Sequence, residues 1–170
     1  MDFFSHIIDL EDAANRGRPT SFNASPEQCA QIIEIFDLLA LKSFTVQSQV
    51  TKLINGSYEV HGSLNAVVVQ PSVVSYEPVT TTISEPFLVM LVPSQKRLDD
   101  YEAAHPDIDC DVFKDGEYDI GNLALEYLSL SLPTQPKLVG ESGDHREFDE
   151  TEKQSKPSPF AVLSDKLKKD

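Results

Sequence analysis

At 170 residues, with 40% apolar side chains and a net charge of −14, the chain can bury one modest core. That charge opposes groove-type binding along a phosphate backbone; it favours basic protein partners, or serves solubility alone. No apolar run reaches the roughly 20 residues of a helical membrane span, and MDFFSHIIDLED at the N-terminus lacks the marks of a signal peptide.

In chain order, residues 3–10 alternate loosely as a short strand, residues 16–18 read as a turn, and residues 19–23 as a second short strand. Ser25-Pro26-Glu27-Gln28 then supplies an N-cap, a proline at the first helical position and a capping-box glutamine. Ile32, Ile33, Phe36, Leu39 and Ala40 continue an apolar helical face to about residue 40. Residues 42–54 switch to a two-residue period, with Phe44, Val46 and Val50 on one side. Asn55-Gly56 is read as a two-residue hairpin turn, after which Tyr58, Val60, Leu64, Ala66 and Val68 return along the next strand. A third strand is expected around residues 72–76, and further β structure at residues 79–83 and 87–92, with Pro86 marking an edge or bulge. After Pro93 comes a hydrophilic connection of about 25 residues.

The next segment, DGEYDIGNLALEYLSLSLPTQP, is the most informative. Asp115-Gly116 makes a turn, Asp119 is placed to cap a helix, and Pro133 and Pro136 prevent its continuation. Leu123, Tyr127 and Leu130, flanked by Ile120, Ala124, Leu128 and Leu132, form its docking stripe. These signals give one domain over residues 1–136 and an acidic, disordered tail over residues 137–170. The tail carries an apolar island around Phe160, Val162 and Leu163, which either orders on a partner or docks back on its own domain. The fold class is α+β: a mainly antiparallel, twisted sheet, open or closed into a barrel, with one helix before the long hairpin and one after the strands.

Sites of chemistry are not evident in these residues. Asp107, Asp109 and Asp111 alternate like the first half of a calcium loop, but Val112 and Tyr118 stand where glycine and glutamate are required. His6, His61, His105 and His145 are scattered away from metal-ligand spacing, and Glu77 and Glu85 would need a pocket to work as a pair. Cys29 and Cys110 lie far apart, which fits a reduced, cytoplasmic protein; Cys29 reads as a small core hydrophobe. The expectation is a protein without catalytic residues, cofactor or metal. Residues 99–119, by contrast, hold nine acidic side chains against one lysine. Partner contacts are therefore assigned to Asp107, Asp109, Asp111, Asp115, Glu117 and Asp119, together with Phe160, Val162 and Leu163.

Three stretches together resemble one family. VVVQPSVVSYEPV at residues 67–79 is similar to a central strand motif, DGEYDIGNLALEYLSLSLPTQP to a signature helix, and KPSPFAVLSDKL to a closing motif. All three resemble the YceD family of large ribosomal RNA subunit accumulation proteins, also called domain of unknown function 177, and most closely its alphaproteobacterial branch. The helix and long hairpin agree in order, so the resemblance covers nearly the whole chain. It implies a role in accumulation of large-subunit ribosomal RNA and assembly of that subunit, with no known catalytic residue. Many members carry a Cys-x-x-Cys pair where this chain has Ser72 and Ser75; serine does not replace a zinc thiolate, so a metal or redox role is not carried over. The leading expectation is a non-enzymatic accessory factor that binds a basic ribosomal protein or a pre-ribosomal particle. The alternative is a direct ribosomal-RNA-binding module, with Phe44, Tyr58 and Tyr76 stacking bases beside Lys42 and Lys52.

Overall fold

A computed structural model describes residues 4–141 of the chain. The tail anchors Phe160, Val162 and Leu163, His145 and nearly all of the segment assigned to disorder lie outside the described residues. The described residues up to Val139 belong to a first compact unit.

Three long strands organise the first unit: β3 (Ala40–Lys52), β4 (Tyr58–Pro71) and β5 (Pro78–Val92), paired as an antiparallel meander. Their two-residue period sends Phe44, Val46, Val50, Tyr58, Val60, Leu64, Ala66 and Val68 into one core. Glu59, His61, Ser63 and Asn65 of β4 turn to the opposite, polar face. A short β2 (Thr20–Asn23) pairs antiparallel with β3 at one margin. At the other, β6 (Asp109–Val112) runs parallel to the end of β5. The order β2-β3-β4-β5-β6 leaves the two outer strands unpaired with each other. The sheet is therefore open, not a barrel. A separate ribbon joins β1 (Ile7–Asp9) to β7 (Glu117–Asp119).

Two turns differ from expectation. At Asn55-Gly56 the loop has three residues, closed by Leu53 N donating to Ser57 O at 2.9 Å, with Gly56 at φ 78°. The expected strand at residues 72–76 is the tip of the β4–β5 hairpin. Ser72 N donates to Glu77 O at 2.8 Å, and Ser72 Oγ accepts from Val74 N at 3.1 Å and Ser75 N at 3.3 Å. Side-chain capping by Ser72 and a positive φ of 63° at Tyr76 override the β propensity of the intervening valines. Beyond the tip β5 runs unbroken through Pro86. Val92 O accepts from Phe113 N beyond the β6 side of the strand, so the even-numbered residues of β5 direct their backbone groups outward. The missing N–H of Pro86 thus falls on the outer edge, where it costs no ladder bond.

Four helices are present among the described residues, where two were expected: α1 (Leu10–Arg16), α2 (Pro26–Ile35), α3 (Gln95–Ala104) and α4 (Ile120–Ser131). Asp9 caps α1 by accepting from Asp12 N at 2.7 Å, and Gly17 ends it at φ 59°. The capping box of α2 forms as expected, but the helix stops at Ile35, because Asp37 adopts φ 50° and Ala40 already belongs to β3. The segment read as a connection instead contains α3, β6 and β7. On α4, Ile120, Leu123, Ala124, Leu125 and Leu128 are buried. Leu130, placed on the stripe by its spacing, is 83% exposed. Among the described residues no helix is long and apolar enough to cross a membrane.

Candidate functional site

Pairing of β6 with β5 places Asp109 opposite Val89 and Asp111 opposite Leu91. Strand alternation turns both carboxylates outward while Cys110 and Val112 are half-buried. The C-terminal end of α3 brings Glu102 and His105 to the same region, and the exposed side of α4 brings Glu126 and Tyr127. With Tyr118 of β7 these elements enclose a cleft of about 540 Å³. Its apolar floor is Val89, Ile108 and Leu123; its walls are the carboxylates of Glu102, Asp109, Asp111 and Glu126; no lysine or arginine lines it.

Two phenols fix the strand carboxylates. Tyr118 donates to Asp111 Oδ2 at 2.9 Å, and Tyr127 donates to Asp109 Oδ2. Burial, then the neighbouring aspartate, pushes the pKa of each tyrosine far up, so both stay protonated donors. Tyr127 is also held by Phe87, at 5.3 Å between ring centroids. Burial likewise raises the Cys110 thiol, which argues against a reactive thiolate. Among the described residues no group of three or more His, Cys, Asp or Glu is arranged to hold a metal ion.

Glu126 reports the electrostatics of the cleft. Its carboxyl is pushed above the ordinary 4.5, first by partial loss of water and then by repulsion from Asp111. A folded-state pKa above the unfolded one makes a contribution to stability that is complete below the ordinary value and lost as pH rises through the folded value. Glu126→Gln is therefore expected to melt above the wild type at neutral pH, with the difference closing as pH falls towards 4.5. Thermal melts across that interval measure it, and a gap that widens on acidification would refute the assignment.

Of the six acidic residues singled out by sequence, the cleft gathers two, Asp109 and Asp111. Asp107 is exposed in the loop before β6, outside the lining, and Glu117 is exposed on β7. Asp115 sits in a turn at φ 53°, before Gly116 at φ 82°. Asp119 is occupied by the backbone: it accepts from His6 N at 2.9 Å, Gly121 N at 3.0 Å and Asn122 N at 3.2 Å, and from Asn122 Nδ2 at 2.8 Å. Sequence reasoning missed Glu102, Tyr118, Glu126 and Tyr127. The available signal was the polar flank of the two helices, Glu126 lying one residue before the stripe member Tyr127.

The base-stacking surface does not form. Phe44 is 2% exposed and Tyr58 7%, both on the core face. Tyr58 donates to Glu11 Oε2 at 2.9 Å, and Lys52 reaches the same oxygen at 2.5 Å, so both are engaged in anchoring α1. Tyr76 alone of the three stands in solvent, at the hairpin tip.

Comparison with known proteins gives one result. A family model described as large ribosomal RNA subunit accumulation protein YceD matches residues 60–168, more than half of the chain, from within β4 through α4 and beyond the described residues. No curated protein and no solved structure matches.

Proposed function

The chain belongs to the YceD family of large ribosomal RNA subunit accumulation proteins, and on that premise we propose that it promotes large-subunit assembly in the cytoplasm by binding, without a reaction step. The acidic cleft receives a basic segment of a ribosomal protein or of a pre-ribosomal particle. The observation that carries this reading is the uncompensated wall of Glu102, Asp109, Asp111 and Glu126 above an apolar floor. An entering guanidinium or ammonium group relieves the repulsion between Glu126 and Asp111, and its methylene stem packs on Ile108 and Leu123. The exposed acidic residues outside the cleft, Asp107 and Glu117 among them, add long-range attraction that speeds encounter.

A binding role is further supported by the state of the cleft's titratable groups: both phenols and the thiol are held away from their nucleophilic forms. The test is recovery of basic ribosomal proteins by the tagged full-length chain. Recovery is expected at about 0.1 M salt and is expected to collapse near 1 M, where the screening length falls to about 3 Å. The Asp109→Asn, Asp111→Asn, Glu126→Gln triple variant lowers it already at low salt. Recovery unchanged by salt removes the electrostatic mechanism.

A further inference from the structure

Beside the cleft, β5 leaves most of its outer edge without a strand partner among the described residues. β6 covers only Val89–Val92. From Pro78 to Leu88 the strand pairs, among the described residues, with β4 alone. Even-numbered residues of β5 face outward, so Thr80, Thr82 and Ser84 present backbone N–H and C=O groups there, and no backbone partner is described for them. All three are exposed. Free edges are usually blunted by lysines, prolines, bulges or cover. Here the register of β5 shows no bulge, and the run Val79-Thr80-Thr81-Thr82-Ile83-Ser84 is β-branched but for its last residue. Pro78 and Pro86 mark its two ends. Lys42, which reaches Thr80 Oγ1 at 3.4 Å, brings positive charge to one end. The other end is acidic, with Glu85 on β5 and Asp107 and Asp109 leading into β6.

A strand laid beside Thr80, Thr82 and Ser84 occupies the same row as β6. Its end nearest Pro86 therefore meets Asp109, at the wall of the cleft. Glu85, at the end of this stretch, is near enough to Tyr127 of the cleft wall to help hold its phenol protonated.

We propose that the free edge of β5 is a strand-addition site, on which an extended segment of a protein partner, bearing lysine or arginine, pairs with residues 80–84 and runs into the acidic cleft. The inference rests on the reading above that the partner is basic. Main-chain bonds supply affinity with little demand on partner sequence, and the carboxylates select the sign of its charge. The net charge of −14 opposes a second copy of the chain on the same edge.

The experiment uses the full chain and a short synthetic peptide of alternating lysine and valine, followed by residue-resolved amide exchange. Peptide binding is expected to slow exchange at Thr80, Thr82 and Ser84 about tenfold or more, while Thr81 and Ile83, already bonded to β4, change little. Thr82→Pro removes an outward N–H without touching the β4 ladder, as Pro86 already does. It is expected to weaken the peptide about tenfold, at unchanged melting temperature and charge. A glutamate–valine peptide is expected to give no protection. Peptide binding that leaves the edge amides and the Thr82→Pro affinity unchanged overturns strand addition while leaving the cleft reading intact. Edge protection that survives the triple cleft variant at full affinity overturns the cleft reading instead. No binding of the lysine peptide overturns the proposal. So does protection that appears without peptide and rises with protein concentration alongside a dimer in sedimentation.

Discussion

Gly121→Ala is expected to destabilise the protein by about 3 kcal/mol or more, the upper range for overpacking against atoms that cannot rotate away. A Cβ at this position would lie 2.7 Å from His6 N, and closer still to the Phe4 carbonyl oxygen. Both obstacles are backbone, so the N-terminal segment must lift off α4. That movement breaks the bond from Ile120 N to His6 O, now 3.1 Å, and unseats Phe4, which is 1% exposed and packs edge-on against Phe44 at 4.9 Å. Urea unfolding measures the loss, and amide exchange at His6 localises it. A variant within about 1 kcal/mol of the wild type would mean the segment docks less tightly than this contact requires.

Asp119→Ala carries the next largest effect, about 2–3 kcal/mol. One carboxylate caps α4 through Gly121 and Asn122 and also accepts from His6 N, so its removal leaves several half-buried donors without a partner. Asp119→Asn keeps an acceptor and loses the charge at the helix N-terminus, and is expected to fall between the two. Because Asp119 and Gly121 hold the same segment, combining the alanines should cost less than their sum. Additive losses from chemical unfolding of the single and double variants would show that cap and docking are separate.

These residues mark how far the sequence could be read. The cap at Asp119, the capping box at Ser25 and the long β3–β4 hairpin follow from local rules of side-chain geometry and alternation, and they are where those rules place them. The partnership of Asp119 with His6 spans most of the chain and leaves no local trace. The same limit hid the cleft. Spacing identified Asp109 and Asp111 on an acidic stretch, but Glu102 and Glu126 reach them only through the parallel pairing of β6 with β5 and the packing of α4. Leu130 shows the converse error: its helical spacing is apolar, yet it stands at the cleft rim because no element among the described residues covers that side. Residues 72–76 look like a strand by valine content, and the Ser72 side chain makes them a turn. Gly62, unremarked in the sequence, leaves room for the Phe87 ring on the facing strand, a long-range fit that composition does not encode.

The charge of the chain gains its meaning from this arrangement. A uniformly acidic surface would repel nucleic acid and little else, whereas a wall of carboxylates over an apolar floor discriminates among cations by shape. In the proposed strand addition, the neighbouring β5 edge holds the partner's extended segment in register.

The central claim, that the cleft takes a basic protein segment during large-subunit assembly, is tested most directly by photo-crosslinking from position 130. Leu130 lines the cleft rim and is 83% exposed, so a photoreactive residue there is expected to leave the fold intact. In assembling large subunits it should crosslink to lysine- or arginine-rich segments of ribosomal protein, and lose those products when Asp109, Asp111 and Glu126 are neutralised. Crosslinks confined to ribosomal RNA, or protein crosslinks indifferent to the three carboxylates, would contradict the account.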